Sequence, residues 1–410
     1  MPIDRLHDAL AAELAEMEAA GTRKGDEDVF TAVLPAAAGR GPRFHLAGEG
    51  ERAFLRMNSN GYLGMSLRPE VMAAEEEAAR RLGTGPGAVR FISGTYAEHR
   101  DLEEALARFH GREAGMVFSS AYATTMGVLP PLLTRETAVI SDELNHNCII
   151  NSIRLARPGG KAIYRHNDVN ELETRLAEAA DAGHRRVMVV TDGIFSMRGD
   201  HAPLDEIVEL ARRFDRRFAE NVLVVVDDSH GVGALGETGR GTEEYTGAPP
   251  ADLLIATLGK ALGVNGGYVV GSRGILDYLR EKAPMYIYSN PITPAEAAAA
   301  GAALALLDSA EGRRLLAHLR AMTERFENGL VELAFETIPG AHPVVPLVVR
   351  DTARTRALVA HLKANGVLAT GLAYPVVPRG DEEIRFQVSA DHTEADIDEV
   401  LGVLSTFGPG

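Results

Sequence analysis

Apolar residues in this chain fall in short blocks separated by amphipathic stretches, and the spacing of the two kinds predicts the architecture. Uninterrupted apolar runs occupy 115–119, 137–141, 186–191, 222–227, 252–256 and 267–271. Runs this short suit strands covered on both faces better than buried helices. Before the first of them, 69–82 and 99–111 carry helical periodicity, as do 168–182 and 204–213 between later runs. Strands alternating with helices predict an α/β fold, a largely parallel sheet sandwiched by helices. Ligands of such sheets bind at the carboxyl ends of the strands. After residue 294 come an Ala/Leu-rich helix, short strands near 344–349 and 383–388, and a final amphipathic helix. This pattern predicts a small C-terminal α+β domain. Residues 4–21 show a charged, alanine-rich helical pattern, and a polar, glycine-containing stretch follows to about residue 50. This is too polar for a core helix and is expected to form an arm on the body or on a partner subunit. The expected division is an arm at 1–65, a large domain at 66–295 and a small domain at 296–410.

Composition narrows the possibilities. The chain has 410 residues, 45% hydrophobic and 24% charged, as in an ordinary globular protein with one large core and a smaller domain. A net charge of -16 argues against a nucleic-acid binder, which needs clustered Lys and Arg on phosphates. Cys148 is the sole cysteine, which excludes an intrachain disulfide and a thiolate metal cluster; no metal site is expected. The start is charged and no apolar run approaches a membrane span. A cytoplasmic enzyme with no membrane partner is the expectation.

The chemistry gathers at two strand ends. Val222-Leu223-Val224-Val225-Val226 leads into Asp227-Asp228-Ser229-His230, and the next run leads into Thr257-Leu258-Gly259-Lys260-Ala261-Leu262-Gly263. A lysine at a strand end reads on its own as a solvated loop residue. Held by small residues between buried strands, it loses solvation and becomes a nucleophilic amine. With an acid ending the neighbouring strand, the pair matches what pyridoxal phosphate requires: a Schiff-base amine and a carboxylate for the ring nitrogen. A phosphate needs backbone amides at a helix start. The segment Phe118-Ser119-Ser120-Ala121-Tyr122-Ala123 supplies such a seat, although it reads equally as an N-cap with no ligand. Thr257 could add a hydroxyl to the same phosphate. His146, beyond the run ending near Ser141, could stack on the ring or serve as a structural hydrogen-bonding residue. Ser196 and His230 are candidates for the ring's phenolic oxygen.

Seven ordered segments then carry a family resemblance over nearly the whole chain. They are Asn60-Gly61-Tyr62-Leu63-Gly64; Gly85-Pro86-Gly87-Ala88-Val89-Arg90-Phe91-Ile92-Ser93-Gly94-Thr95; His99 with Leu102-Glu103; Asp227 to His230; Thr257 to Gly263; Ile384-Arg385; and Ala390-Asp391-His392-Thr393. The chain resembles the α-oxoamine synthases, a branch of the fold-type I pyridoxal phosphate enzymes. Val89-Arg90-Phe91-Ile92-Ser93-Gly94-Thr95, Leu144-Asn145-His146, Thr191-Asp192-Gly193-Ile194-Phe195-Ser196-Met197, Gly239-Arg240-Gly241 and Tyr374-Pro375-Val376-Val377-Pro378 are most similar to the glycine C-acetyltransferase members. The resemblance implies a C-acyltransferase that condenses an amino acid, glycine, with an acyl-CoA, acetyl-CoA, and releases CoA. Lys260 would bind the cofactor and move the substrate's Cα proton, with Asp227 on the ring nitrogen. His146 would lie on the ring face, and Ser196 and His230 would reach the phenolic oxygen. Ser120, the amides of Ala121 and Tyr122, and Thr257 would surround the phosphate. Ser289 would reach the phosphate of the second subunit, which implies a homodimer. Asn60 and Arg385 would clamp the amino-acid carboxylate, a task that suits the planar guanidinium fork. A different carbon–carbon bond-forming or cleaving reaction on the same scaffold, 8-amino-7-oxononanoate synthase-like or a CoA-independent aldolase, stays open beside it.

Overall fold

The computed structural model describes residues 3–20, 22–23, 25–374 and 376–408. The chain begins with the helix Asp4–Ala19 and the strands β1 (Phe30–Leu34), β2 (Arg43–Leu46) and β3 (Ala53–Arg56). Seven further strands follow: β4 (Ala114–Phe118), β5 (Thr137–Asp142), β6 (Gly160–Tyr164), β7 (Arg186–Asp192), β8 (Val222–Asp227), β9 (Leu253–Thr257) and β10 (Gly267–Gly271). The last five are β11 (Glu336–Thr337), β12 (Val344–Val348), β13 (Val367–Leu368), β14 (Thr370–Leu372) and β15 (Glu383–Gln387). Two compact units result. The larger holds residues 60–323 and 340–343; the smaller holds 1–59, 324–339 and 344–410.

The larger unit is built on one sheet in the order β4-β10-β9-β8-β7-β5-β6. Pairing is parallel from β6 through β5, β7 and β8 to β9, while β10 runs antiparallel between β9 and β4. The central strands are valine-rich and buried on both sides: Val187, Val189, Val224, Val225 and Val226 are at most 2% exposed. Such strands are covered by helices on both faces, and β-branched side chains fit that pleated, enclosed surface. The six predicted runs coincide with β4, β5 and β7 to β10 to within one residue. The four predicted helices appear as Pro69–Leu82, Ala97–Phe109, Val169–Asp181 and Leu204–Phe214. β6 went unforeseen because it lies at the sheet's edge and alternates partly buried with exposed residues instead of forming an apolar block.

The smaller unit has two four-stranded sheets. One is β1-β2-β3-β13, antiparallel except for the β3–β13 pair; the other, β11-β12-β15-β14, is antiparallel throughout. Its core includes Phe326 and Phe386, in edge contact at 5.0 Å between ring centroids. The compact units divide the chain elsewhere than the expected 65/66 and 295/296 boundaries. Residues 1–59 group with the C-terminal strands because β13 pairs with β3, a contact that closes a loop of some three hundred residues and leaves no local pattern. Residues 296–323 group with the larger unit: the helix Pro294–Leu307 packs against Pro69–Leu82 and Ala97–Phe109. The helix Asp4–Ala19 has no buried residue. Among the described residues, no helix is long and apolar enough to cross a membrane.

Candidate active site

β7, β8 and β9 end side by side at Asp192, Asp227 and Thr257, and the loops leaving these ends enclose a cavity of about 280 Å³. Its wall takes Ser120, Ala121 and Tyr122 from the helix start after β4, and His146 and Cys148 from that after β5. Asp192, Ile194 and Ser196 follow β7; Asp227, Ser229 and His230 follow β8; Thr257 and Lys260 follow β9. Every lining residue belongs to the larger unit. The structure thus brings together nine residues named from the sequence, and Asn60, Ser289 and Arg385 lie outside this lining.

Asp227 is 7% exposed and its carboxylate is held from two sides. The Ser229 amide donates to Oδ1 at 3.2 Å; the Thr125 hydroxyl and the Cys148 thiol donate to Oδ2 at 3.3 and 3.7 Å. Burial, and then the neighbouring Asp227 charge, pushes the Cys148 thiol far up, so it acts as a neutral donor. Asp192 faces Asp227 across the β7–β8 register. Burial and then the nearby Asp227 charge raise its pKa well above the carboxylate range, while its Oδ2 accepts from the His146 amide at 2.9 Å. Asp228 points away from the cavity and is buried. It accepts from the Thr242 amide and hydroxyl at 2.7 and 2.6 Å, and burial pushes its pKa up to about 7 despite these bonds. The two adjacent aspartates therefore have separate tasks, one at the cavity and one closing the turn ahead of the Thr242–Thr246 helix.

His146 does the structural task and the cavity task together. It caps the helix Asn147–Ala156, its Nδ1 accepting from the Cys148 amide at 3.3 Å, and its ring lines the cavity. Desolvation lowers its pKa, against the pull of Asp227 and with the help of Lys260. The neutral imidazole is therefore favoured beside the cavity. Lys260 is half-buried on a tight turn, where its carbonyl accepts from the Gly263 amide at 3.0 Å. Gly263 has φ +69°, and a Cβ there would lie 2.4 Å from the Ser66 amide nitrogen, so only glycine fits.

The opposite wall is the first turn of the helix Ala121–Leu132. Ser120 is its N-cap and accepts from the Ala123 amide at 3.0 Å. The amides of Ala121 and Tyr122 belong to the turn whose N–H groups have no intrahelical acceptor, where the helix dipole favours an anion. The strand β10 begins hard against this turn: a Cβ on Gly267 would meet the Ala121 nitrogen at 2.3 Å. Thr257 accepts from the Gly259 amide at 3.0 Å and donates to the Gly266 carbonyl at 3.2 Å.

Ser196 lies on the loop after β7, which His166 clamps. The His166 ring reaches Asp142 at 3.2 Å and Asp200 at 3.1 Å and stands edge-on to Phe195 at 4.3 Å. Burial opposes its charge, but its bonds to Asp142 and Asp200 outweigh that and raise its pKa to about 9. His230 is held at Nδ1 by the Tyr62 hydroxyl at 2.7 Å. Asn60 lies 3.4 Å from the same hydroxyl. Ser289 follows Tyr288, which is 80% exposed. Arg385 is on β15 of the smaller unit. Gln387 accepts from its Nε and Nη2 at 2.6 and 2.9 Å in the amide orientation that also donates to the Met57 carbonyl. Sequence reasoning left out Cys148, Thr125 and Tyr62 as site residues, because their contacts with Asp227 and His230 join distant segments. Among the described residues, no group of three or more His, Cys, Asp or Glu is placed to hold a metal ion.

Comparison with known proteins agrees with this geometry. The aminotransferase class I and II family profile matches residues 52–404. The mitochondrial 2-amino-3-ketobutyrate coenzyme A ligase of Bos taurus is 40% identical over 407 residues, covering 98% of this chain and 92% of its own. The 8-amino-7-oxononanoate synthase of Thermosipho melanesiensis is 39% identical over 355 residues, 86% of this chain and 88% of its own. A serine palmitoyltransferase solved with pyridoxal phosphate superposes with a TM-score of 0.85 at 26% identity, over 98% of this chain and 96% of that one. With matches of this identity along nearly its whole length, the chain belongs to the aminotransferase class I and II family and, within it, to the α-oxoamine synthases.

Proposed function

We propose that this protein joins glycine to the acetyl group of acetyl-CoA, giving a 2-amino-3-oxo acid and free CoA. It is a pyridoxal-phosphate-dependent enzyme that condenses an amino acid with an acyl-CoA. The observation that carries the reading is the single cavity lined by Lys260, Asp227 and a helix N-terminus. The donor set fits the cofactor at each of its ends: amides for a phosphate, a carboxylate for a ring nitrogen, a hydroxyl and an imidazole at the side, and an amine. Bound there, the cofactor supplies an electron sink for a carbanion at the amino acid's Cα.

The chain's own groups divide the remaining work. The amides of Ala121 and Tyr122, with Ser120 and Thr257, hold the phosphate at the dipole's positive end. Asp227, steadied by Thr125, Cys148 and Ser229, would keep a proton on the ring nitrogen. His146 would cover the ring, and Ser196 and His230 would take the phenolic oxygen. Lys260 would hold the cofactor through Nζ, and the same amine would take the Cα proton and return one after the acyl carbon has been joined and the thiolate of CoA has left. Asn60 and Arg385 would clamp the substrate carboxylate, as the family resemblance implies. Ser289, beside the exposed Tyr288 and away from the cavity lining, suits a contact with the phosphate of a second subunit. A homodimer is part of the proposal, and light scattering that finds a fully active monomer would remove it.

The glycine and acetyl-CoA assignment draws on the segments Thr191–Met197, Leu144–His146 and Gly239–Gly241, and on the ligase match along 98% of this chain. The match to 8-amino-7-oxononanoate synthases at nearly the same identity keeps one second reading, an amino acid other than glycine with a longer acyl donor. A thiol-release screen decides between them: acetyl-CoA and longer acyl-CoAs, each against glycine, alanine and serine. Fastest release with acetyl-CoA and glycine is expected. Release confined to a longer donor with alanine would overturn the assignment.

A further inference from the structure

Tyr62 is fully buried, and a buried phenol needs a partner for its hydroxyl. It lies in the turn Gly61–Gly64, where the Gly64 amide donates to the Gly61 carbonyl at 3.1 Å and Gly64 takes φ +63°. The Tyr62 hydroxyl is 2.7 Å from Nδ1 of His230 and 3.4 Å from Oδ1 of Asn60. His342, 1% exposed, stands edge-on to the Tyr62 ring at 5.2 Å and 83°. Its Nε2 is 2.8 Å from the His230 carbonyl; a carbonyl only accepts, so that nitrogen donates. His230 is thus pinned at its backbone by one buried side chain and at its ring by another.

A hydroxyl has one proton to give, and between His230 and Asn60 two arrangements compete for it. In one, Tyr62 donates to Nδ1 of His230, and the neutral ring carries its own proton on Nε2. In the other, Nδ1–H donates to the phenol oxygen and the phenol donates to Asn60. The distances favour the first, since 2.7 Å is a short, good bond and 3.4 Å is at the margin for O–H···O. The chemistry favours it too, because a phenol is a stronger acid than a neutral imidazole N–H and an imidazole nitrogen is the stronger base. Which nitrogen of a histidine is protonated is set by the bond the other makes.

We infer that Tyr62 is a positioning residue whose hydroxyl donates to Nδ1 of His230 and fixes the tautomer carrying its proton on Nε2. This makes the ring a hydrogen-bond donor to an anionic oxygen in the cavity. The inference rests on the reading of His230 as the group that meets the cofactor's phenolic oxygen, but its test does not depend on turnover. The holoenzyme is prepared with ¹⁵N-labelled histidine, and the His230 signals are identified by their loss in His230→Gln. Two-bond ¹⁵N–¹H correlations then report the tautomer directly. The wild-type protein is expected to show the Nε2–H pattern, and Tyr62→Phe, which keeps the ring and removes only the hydroxyl, to move part or all of the population to Nδ1–H. The variant should also lose about tenfold in kcat with the KM for glycine held within about threefold. An Nδ1–H pattern in the wild type overturns the inference, as does a Tyr62→Phe spectrum identical to it, which would leave Tyr62 a packing role only. Should Tyr62→Phe fail to fold, the wild-type spectrum decides alone. If the tautomer behaves as described and no acyl-CoA releases thiol, the positioning stands and the proposed reaction falls.

Discussion

The larger unit has a cavity at each edge of its sheet, and the bigger one is at the edge without the chemistry. At the amino ends of β7, β8 and β9, Pro131, Arg186, Asp215, Glu220 and Asp252 are among the residues lining about 540 Å³; the carboxyl-edge cavity is about 280 Å³. The polar groups of the amino edge are spent on the fold. Asp252 accepts from the Val224 amide at 2.8 Å, Asp215 accepts from the Val222 amide at 3.1 Å, and Glu220 pairs with Arg186 at 2.9 Å. At the carboxyl edge, burial raises the pKa of Asp192 and lowers that of His146 around a shared volume, with the charges of Asp227 and Lys260 acting on both. Perturbed groups converging in a cleft mark a functional site better than volume does.

Removing the carboxyl edge's amine should have the largest effect. Lys260→Ala is expected to keep the fold and lower thiol release by at least about 10³-fold, since the amine and the proton transfer are lost together. Substantial turnover in that variant would move the chemistry elsewhere. The proposed carboxylate clamp comes next. Arg385→Ala removes a charged fork worth about 2–5 kcal/mol when one partner is truncated, so glycine binding should weaken by well over tenfold. Arg385→Lys should recover part of that, because an ammonium has no planar fork. Titration with glycine, followed by absorbance, measures both variants, and unchanged affinity would place the carboxylate elsewhere.

A smaller effect belongs to the His166 clamp. Its pKa is raised to about 9 in the folded protein from an ordinary value near 6.5. A raised histidine stabilises fully below about pH 6.5, and that contribution fades as pH rises through about 9. The denaturant midpoint of the wild type should therefore fall across this window, while His166→Gln should start lower and show a flatter profile. Parallel profiles would assign the pH dependence to other groups. The smallest effect should come from the amino edge. Asp252→Ala should lower the thermal midpoint by a few degrees, the cost of about one hydrogen bond, with kcat/KM unchanged to within about twofold. Lost activity without lost stability there would erase the contrast between the edges.

The central sheet and two of its chemical residues were readable in the sequence for one physical reason. Strands buried on both faces are written as unbroken apolar runs, and their ends mark where chemistry is placed; Asp227 and Lys260 stand at such ends. β6, β1, β2 and β3 are short or partly exposed, so burial leaves no run to detect. Contacts made across long stretches of sequence were equally silent. The Cys148 thiol reaches Asp227 only because a helix start meets a strand end 79 residues later. His342 meets the His230 carbonyl across 112 residues, and Tyr62 meets the His230 ring across 168. His146 shows the middle case: it caps the helix Asn147–Ala156 and also lines the cavity.

The most direct test of the carboxyl-edge site is borohydride reduction of the holoenzyme followed by peptide mapping. The chain has five lysines, Lys24, Lys161, Lys260, Lys282 and Lys363, so the map is short. Among the described residues, Lys260 is the one lysine that lines the cavity. The account predicts a reduced pyridoxyl adduct on Lys260 and unmodified peptides for the other four. An adduct on any other lysine, with Lys260 unmodified, would contradict it.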